Sequence, residues 1–137
     1  MSYQSKDFQR ELPAVSGMSS IDGRHAKDLV RIIRARQRRQ DFFPAHLFFD
    51  PAWDILLALA LANLEQHRVT VSELCTAACA PYTTALRYIQ AMIDLGLVVS
   101  RDDPLDGRRR FLSMSADAAK CMSAYLNTQP LAEIKVA

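Results

Sequence analysis

The sequence predicts a mainly α-helical domain with one small β-hairpin, an α+β fold class. The hairpin is predicted by two short apolar runs, 97–99 and 111–114. They flank a loop that holds Pro104, an Asp106-Gly107 turn signal and three consecutive arginines. The helices are predicted by apolar residues spaced three and four apart, with capping residues at the segment ends. At 137 residues the chain is long enough for one domain with a core, but short for two.

Composition along the chain predicts four parts. Residues 1–23 mix Ser, Gly and isolated charges without periodicity, so we expect a flexible N-terminal arm. Residues 24–49 combine a basic amphipathic helix with an aromatic connector, and are a candidate dimerisation element. Residues 50–127 carry the helices and the hairpin of the main domain. Residues 128–137 are predicted to be a C-terminal tail.

The first predicted helix runs from Arg24 to about Gln40 and has two faces. Its apolar face consists of Ala26, Leu29, Val30 and Ile33, and its basic stripe consists of Arg24, Lys27, Arg31, Arg34 and Arg38. Residues 24–39 hold seven basic side chains and one acidic one, whereas the net charge of the chain is only +2. The stripe is either a solvated surface or a phosphate contact, and the apolar face is a candidate dimer contact.

A second helix is predicted from Pro51 to about Gln66. Asp50 suits the N-cap and Pro51 suits the first helical position. The helix is apolar nearly all round, so we expect it to be the buried spine of the domain. The aromatic residues around the preceding connector are either core or the lining of a small-molecule effector pocket. These residues are Phe42, Phe43, Phe48, Phe49 and Trp53.

The middle of the chain predicts a helix-turn-helix. The β-branched segment 69–71 is a candidate third strand, and Ser72 is the predicted cap of a short helix that ends near Ala78. A turn at 79–81 leads into a longer helix from Pro81 to about Leu95, with Gly96 as its C-terminal left-handed residue. The predicted contact between the two helices consists of Leu74, Ala77, Ala78, Ala85, Ile89 and Met92.

A last helix is predicted from Ser115, its cap, to about Asn127. A helix-turn-helix followed by a hairpin and a capped helix is the order of a winged helix-turn-helix. In that fold the second helix enters the major groove of DNA and the hairpin, or wing, grips phosphates. The candidate DNA-binding residues are therefore Tyr82, Thr83, Thr84 and Arg87 on the helix, and Arg108, Arg109 and Arg110 on the wing.

Residues 50–126 resemble the MarR family of bacterial transcription regulators. The resemblance is carried by segments 71–75, 81–87 and 95–98, and above all by the wing 101–110 with its exit Leu112-Ser113-Met114-Ser115. It implies a homodimeric DNA-binding regulator in which Arg87 reads the major groove and Arg108 or Arg109 enters the flanking minor groove. This chain has Cys79 where the family usually carries glycine, and its last helix is shorter than the family's.

Charge leaves a second interpretation open. Between Asp50 and Leu126 there are seven Lys or Arg against nine Asp or Glu, which would also suit a winged-helix protein-interaction module with little DNA affinity. No nucleophile and base pairing, phosphate loop or metal-ligand spacing is apparent, so we expect neither an enzyme nor a cofactor.

The chain is also expected to be soluble and cytoplasmic. We expect no secretory signal or membrane span, because charges interrupt the N-terminus and the longest apolar run, 55–62, is short. Cys75, Cys79 and Cys121 lack a disulfide-scaffold spacing and are expected to be reduced thiols.

Overall fold

The computed structural model describes residues 21–128, so most of the predicted arm and nearly all of the tail lie outside the described residues. The helices are α1 (Ala26–Arg38), α2 (Pro51–Glu65), α3 (Val71–Ala77), α4 (Tyr82–Asp94) and α5 (Ala116–Asn127), and the strands are β1 (Val69–Thr70), β2 (Val98–Asp103) and β3 (Asp106–Met114). Single 3-10 turns lie at Gly23–His25, Arg39–Asp41 and Ala45–Leu47. Ile21 is buried in the core, so ordered packing begins before residue 24, where the predicted arm ends.

The three strands form an antiparallel sheet in the order β1-β3-β2. Leu112 in the central strand pairs with Val69 of β1, which confirms the third strand, and Met114 pairs with Val98 of β2. These four side chains are buried against the helices. The helix-turn-helix of α3 and α4 leads directly into this sheet and then α5. The predicted fold class, a mainly α-helical winged helix-turn-helix, is confirmed.

The hairpin turns two residues earlier than predicted. Its tip is Pro104-Leu105, and not the Asp106-Gly107 pair, which already belongs to β3. The Asp103 carboxylate is buried and accepts a hydrogen bond from the Leu105 N–H (2.8 Å), which fixes the turn. The three arginines therefore lie along a strand and not in a loop. Consecutive residues of a strand point to opposite faces of the sheet, so Arg109 faces away from Arg108 and Arg110. A position in a loop did not predict this.

The α2 helix is the buried spine, as predicted. Its Asp50 cap accepts a hydrogen bond from the Trp53 N–H (3.4 Å), and Ile55, Leu57 and Leu59 are almost fully buried. The one-face pattern of an amphipathic helix is absent because α1, α3, α4 and the sheet all contact α2.

The cap of α3 is Thr70 and not Ser72, which corrects the prediction. Thr70 Oγ1 accepts a hydrogen bond from the Glu73 N–H (3.2 Å), while Glu73 Oε1 lies 3.5 Å from the Thr70 N–H. This reciprocal pair is a capping box, which needs a Thr or Ser three residues before the Glu. Ser72 lies too close in sequence to Glu73 for that geometry. The helix thus begins directly at the end of β1.

The α1 helix packs on α2 through a face rotated from the predicted one. Leu29 is fully buried and Ile32 and Ile33 pack on the core, whereas Ala26 and Val30 lie half-buried beside an open groove. An ion pair strengthens the contact, because Arg36 Nε lies 2.6 Å from Asp54 Oδ1, and both side chains are mostly buried. Apolar residues spaced three and four apart fit either rotation of α1 about its axis. The contact with α2 decides between the two rotations.

Two left-handed residues shape the helix-turn-helix. Cys79, in the turn between α3 and α4, has φ +53°, and Gly96, after α4, has φ +80°. Gly96 behaves as predicted, and Cys79 adopts a conformation that favours glycine. Within residues 21–128, no helix is long and apolar enough to cross a membrane.

Candidate nucleic-acid interface

A cleft lies between the start of α4 and the wing strand β3. We call it the helix–wing cleft. Its lining consists of Thr70, Val71, Ser72, Tyr82, Leu86, Arg108, Arg109 and Arg110. Four of the seven predicted site residues, Tyr82 and the three arginines, are thus brought together. Thr83, Thr84 and Arg87 lie outside the lining, on the rest of α4's first two turns.

The N-terminus of α4 lies beside this cleft, since Tyr82, the first residue of the helix, is part of the lining. Pro81 precedes the helix and provides no side-chain cap, and the first turn has no acidic residue. Ala85 is the first residue whose N–H reaches a carbonyl of this helix, that of Pro81 (2.9 Å). The three preceding N–H groups, of Tyr82, Thr83 and Thr84, have no acceptor within the helix. A helix terminus of this kind attracts anions.

The solvent face of α4 carries the other predicted helix residues. Thr83 and Arg87 are exposed one turn apart, while Thr84 is half-buried. The opposite face packs in the core through Ala85, Ile89 and Met92. A helix with this division can present side chains to a groove of DNA without disturbing its own packing.

The wing arginines are exposed and weakly paired. Arg108 has a side chain that is 93% exposed, and its Nε lies 3.5 Å from Asp106 Oδ1. The same carboxylate oxygen accepts a hydrogen bond from the Arg108 N–H (3.1 Å). Asp106 therefore orients Arg108 more than it neutralises it, because an exposed pair at this distance is weak. Arg110 lies opposite Asp102 across the hairpin.

A carboxylate also lies beside the cleft, at the start of α3. His67 Nε2 is 2.8 Å from Glu73 Oε2, and this hydrogen bond, with the bonds from Thr70, holds the pKa of Glu73 below its ordinary value. Glu73 is therefore ionised at neutral pH and engaged locally. Its neighbour Ser72 lines the cleft with an exposed hydroxyl group that could donate to a phosphate, whereas the Thr70 hydroxyl donates to Glu73 Oε1 (3.1 Å).

Two further arginines near the wing, Arg68 and Arg101, were not among the predicted site residues. Arg68 and Arg109 each place a guanidinium carbon 5.5 Å from the centre of the Phe111 ring. Arg101 is the cross-strand partner of Phe111. The signal that could have found them is strand alternation, but it becomes usable only when the pairing of β1 with β3 is known.

The basic stripe of α1 faces solvent. Lys27, Arg31, Arg34 and Arg38 are exposed and surround a shallow groove floored by Ala26, Val30 and Ala35. Arg24, the fifth predicted member, instead pairs with Asp22 (Nη2 to Oδ2, 2.9 Å) in the turn before α1. Hydrogen bonding from Arg24 lowers the pKa of Asp22, and that of Arg24 is raised in return.

No family model matches the chain, and no curated protein matches it. The chain is similar to a mutant MarR from E. coli (16% identity, covering 79% of this chain and 74% of that one, TM-score 0.48). It is similar to the adhesin competence repressor AdcR from Streptococcus pyogenes (16% identity, covering 74% and 69%, TM-score 0.46). It is also similar to Bordetella bronchiseptica BpsR, whose DNA binding is regulated by 6-hydroxynicotinic acid (17% identity, covering 73% and 78%, TM-score 0.45).

The aromatic residues considered for an effector pocket do not line one cavity together, although Phe43 packs edge-on against Phe48 (6.2 Å between ring centres). Phe42, Phe43 and Phe49 are more than half exposed, and Trp53 packs edge-on against Tyr125 (5.2 Å between ring centres). Of these five, Phe48 lines the cavity between α1, α2 and the end of α3, where Arg36 and Asp54 also lie. The two sequence interpretations, core residues or pocket lining, therefore do not describe these three exposed rings.

The cysteines are free thiols in three different environments. Cys75 is buried, and burial raises its pKa. Cys121 is half-buried, and its pKa is raised by burial and by the charge of Asp117. Cys79 is exposed in the turn. Among the described residues, no three His, Cys, Asp or Glu side chains group as metal ligands.

Proposed function

We propose that this chain is a cytoplasmic DNA-binding transcription regulator of the MarR-like type. In this proposal α4 enters the major groove, and the wing contacts the flanking minor groove or backbone. The observation that carries it is the helix–wing cleft, whose lining combines Tyr82, the first residue of α4, with the exposed wing arginines Arg108, Arg109 and Arg110. Phosphate groups are the ligands that such a cleft suits best.

In this proposal the two parts of the site have different tasks. Arg108 and Arg110 contribute charge, which gives affinity without regard to sequence. Arg87 and Thr83, on the solvent face of α4, read base edges, since a guanidinium matches guanine and a threonine methyl matches thymine. Tyr82 donates to a phosphate or packs on a thymine methyl, and Thr84, half-buried, contributes its hydroxyl. Arg109 belongs to the same cleft.

We also propose that the regulator acts as a homodimer on a pseudo-palindromic site. The connector after α1 supports a contact with a second copy, because Phe42, Phe43, Leu47 and Phe49 are all exposed within eight residues. The cationic stripe of α1 suits a partner copy poorly, since two such stripes would repel each other. It suits additional phosphates better.

The test of DNA binding is fluorescence anisotropy with a mixed-sequence duplex of about 30 base pairs, at salt concentrations from about 50 to 200 mM. We expect wild-type affinity to fall steeply with salt. The double variant R108Q/R110Q should make the log–log slope shallower by about two, because each lost phosphate contact contributes about 0.9. K120Q, an exposed lysine on α5, is the matched control and should leave the slope unchanged.

The sequence-reading role requires a separate measurement. Genome-wide mapping of the tagged protein gives the preferred site, and R87A should relax the preference at one base position with a loss of about 1–3 kcal/mol at that site. Wild-type protein that neither binds duplex DNA nor is retained on heparin, but purifies with a bound protein, would instead support the protein-interaction module. Sedimentation of F42S/F43S against wild type tests the dimer.

A further inference from the structure

The outward face of the wing sheet carries a compact basic patch. Leu112 and Met114 of β3 point into the core, so alternation places Arg109 and Phe111 on the opposite, solvent side. Arg101 of β2 is the direct cross-strand partner of Phe111 and shares that side. We call Arg68, Arg101, Arg109 and Phe111 the outer patch.

The Phe111 ring is the platform of this patch. Arg68, which directly precedes β1, and Arg109 of β3 each place a guanidinium carbon 5.5 Å from the ring centre. Stacking on an aromatic ring restrains a guanidinium while leaving its N–H edge open for an acceptor. Two of the three cations are thus pre-positioned, which reduces the entropy lost on binding an anion.

The three guanidiniums have no ion-pair partner among residues 21–128. In the described part of the chain, no carboxylate lies within ion-pair distance of Arg68, Arg101 or Arg109. The adjoining shallow cleft is lined by Arg68, Arg101 and Phe111 together with His67, Pro104 and Ser113, and includes one acidic residue, Asp102. The nearby carboxylate of Glu73 is engaged by His67. The patch therefore presents three guanidiniums that form no ion pair with a described residue, with Asp102 as the acidic side chain in the adjoining cleft.

We propose that the outer patch binds a second stretch of the phosphodiester backbone of the duplex that occupies the helix–wing cleft. This inference rests on the proposed DNA-binding function and extends its footprint to the other face of the wing. Arg109 makes the two surfaces continuous, since it lines the helix–wing cleft and also stacks on Phe111. The contact is to phosphates, so it adds affinity and salt dependence and reads no sequence.

The experiment compares R68Q/R101Q with R108Q/R110Q, each of which removes two cations, in the anisotropy assay with the same mixed-sequence duplex. We expect R68Q/R101Q to make the salt slope shallower by about two and to weaken binding by about tenfold or more near 100 mM salt. R68K keeps the charge and should keep the slope. All four positions are exposed, so circular dichroism should show unchanged folding.

The outcomes separate the two proposals. If R108Q/R110Q lowers the slope while R68Q/R101Q behaves like the K120Q control, the outer patch is not a DNA contact but the proposed function stands. If wild-type protein binds no duplex, both fail. If R68Q/R101Q leaves DNA binding intact but abolishes binding of an acidic protein, the patch serves that protein and this inference is overturned.

Discussion

His25 Nε2 lies 2.8 Å from Asn127 Oδ1, joining the turn before α1 to the last residue of α5. The imidazole is 3% exposed, and its Nδ1 accepts a hydrogen bond from the Asp22 N–H (3.1 Å). Nε2 therefore carries the proton that Asn127 accepts. This hydrogen bond therefore joins the first and last segments of the described residues.

The first prediction follows from that bond. N127A removes the acceptor of a buried N–H and should lower the free energy of unfolding by about 1–2 kcal/mol, measured by urea denaturation. N63A, an exposed asparagine near the end of α2, is the matched control and should change stability by less than about 0.5 kcal/mol. Equal effects in the two variants would mean that the His25–Asn127 bond contributes no stability.

A second prediction concerns the two left-handed positions. G96A should lower stability by about 1 kcal/mol, through backbone strain alone, because nothing lies within 4 Å of the added Cβ. C79G should raise stability by about 0.5–1 kcal/mol, since glycine relieves the strain of φ +53°. C79A removes the sulfur but keeps the Cβ, and should leave the free energy of unfolding unchanged. A destabilising C79G would show that the turn is not strained.

The third prediction is a pH dependence at Glu73. Its pKa is lowered in the folded protein, chiefly by the hydrogen bond with His67, from an ordinary value of 4.5. The ionised group therefore adds stability above about pH 4.5, and this contribution is lost as pH falls through the lower, folded pKa. Because the side chain is half exposed, solvent limits the effect to about 0.5 kcal/mol.

Urea denaturation at pH 7, 5, 4 and 3 measures this contribution. E73Q should be less stable than wild type at neutral pH, and the difference should shrink toward zero in acid. E65Q, an exposed site at the end of α2, is the comparison variant. If the difference between E73Q and wild type stays constant with pH, the charge of Glu73 adds no stability and only its capping role remains.

The fourth prediction ranks the thiols. Burial raises the pKa values of Cys75 and Cys121, so both hold less thiolate than an ordinary cysteine at pH 8. Iodoacetamide should modify exposed Cys79 first, Cys121 more slowly and Cys75 slowest, at least about tenfold behind Cys79. Mass spectrometry after timed quenching gives the order, and urea should abolish it. Native-state labelling of Cys75 as fast as Cys79 would contradict its burial.

Local chemistry made several elements predictable from the sequence. The caps Asp50 and Ser115, the glycine after α4 and the apolar spine all lie where predicted, because each depends on residues a few positions apart. The Thr70 cap was missed although it obeys the same rules. Ser72 was predicted in its place, and only the end of β1 at Thr70 shows where the helix begins.

The candidate site was predictable in part. Tyr82 and the three wing arginines were chosen by position in the chain, and they line one cleft. Arg68 and Arg101 were not chosen, because they meet at Phe111 only through pairing between strands distant in sequence. The exposure of Phe42, Phe43 and Phe49 also contradicts what their hydrophobicity suggested.

The sequence by itself determined the order of helices, helix-turn-helix and wing, since periodicity and caps act over one or two turns of chain. Tertiary structure alone decided which way α1 is rotated, where the hairpin turns, and which faces Arg108, Arg109 and Arg110 occupy. The physical reason is that register in a sheet and rotation of a packed helix depend on burial against distant residues. The wing is thus basic on both faces, with Asp106 holding the backbone of Arg108 and Phe111 supporting Arg68 and Arg109.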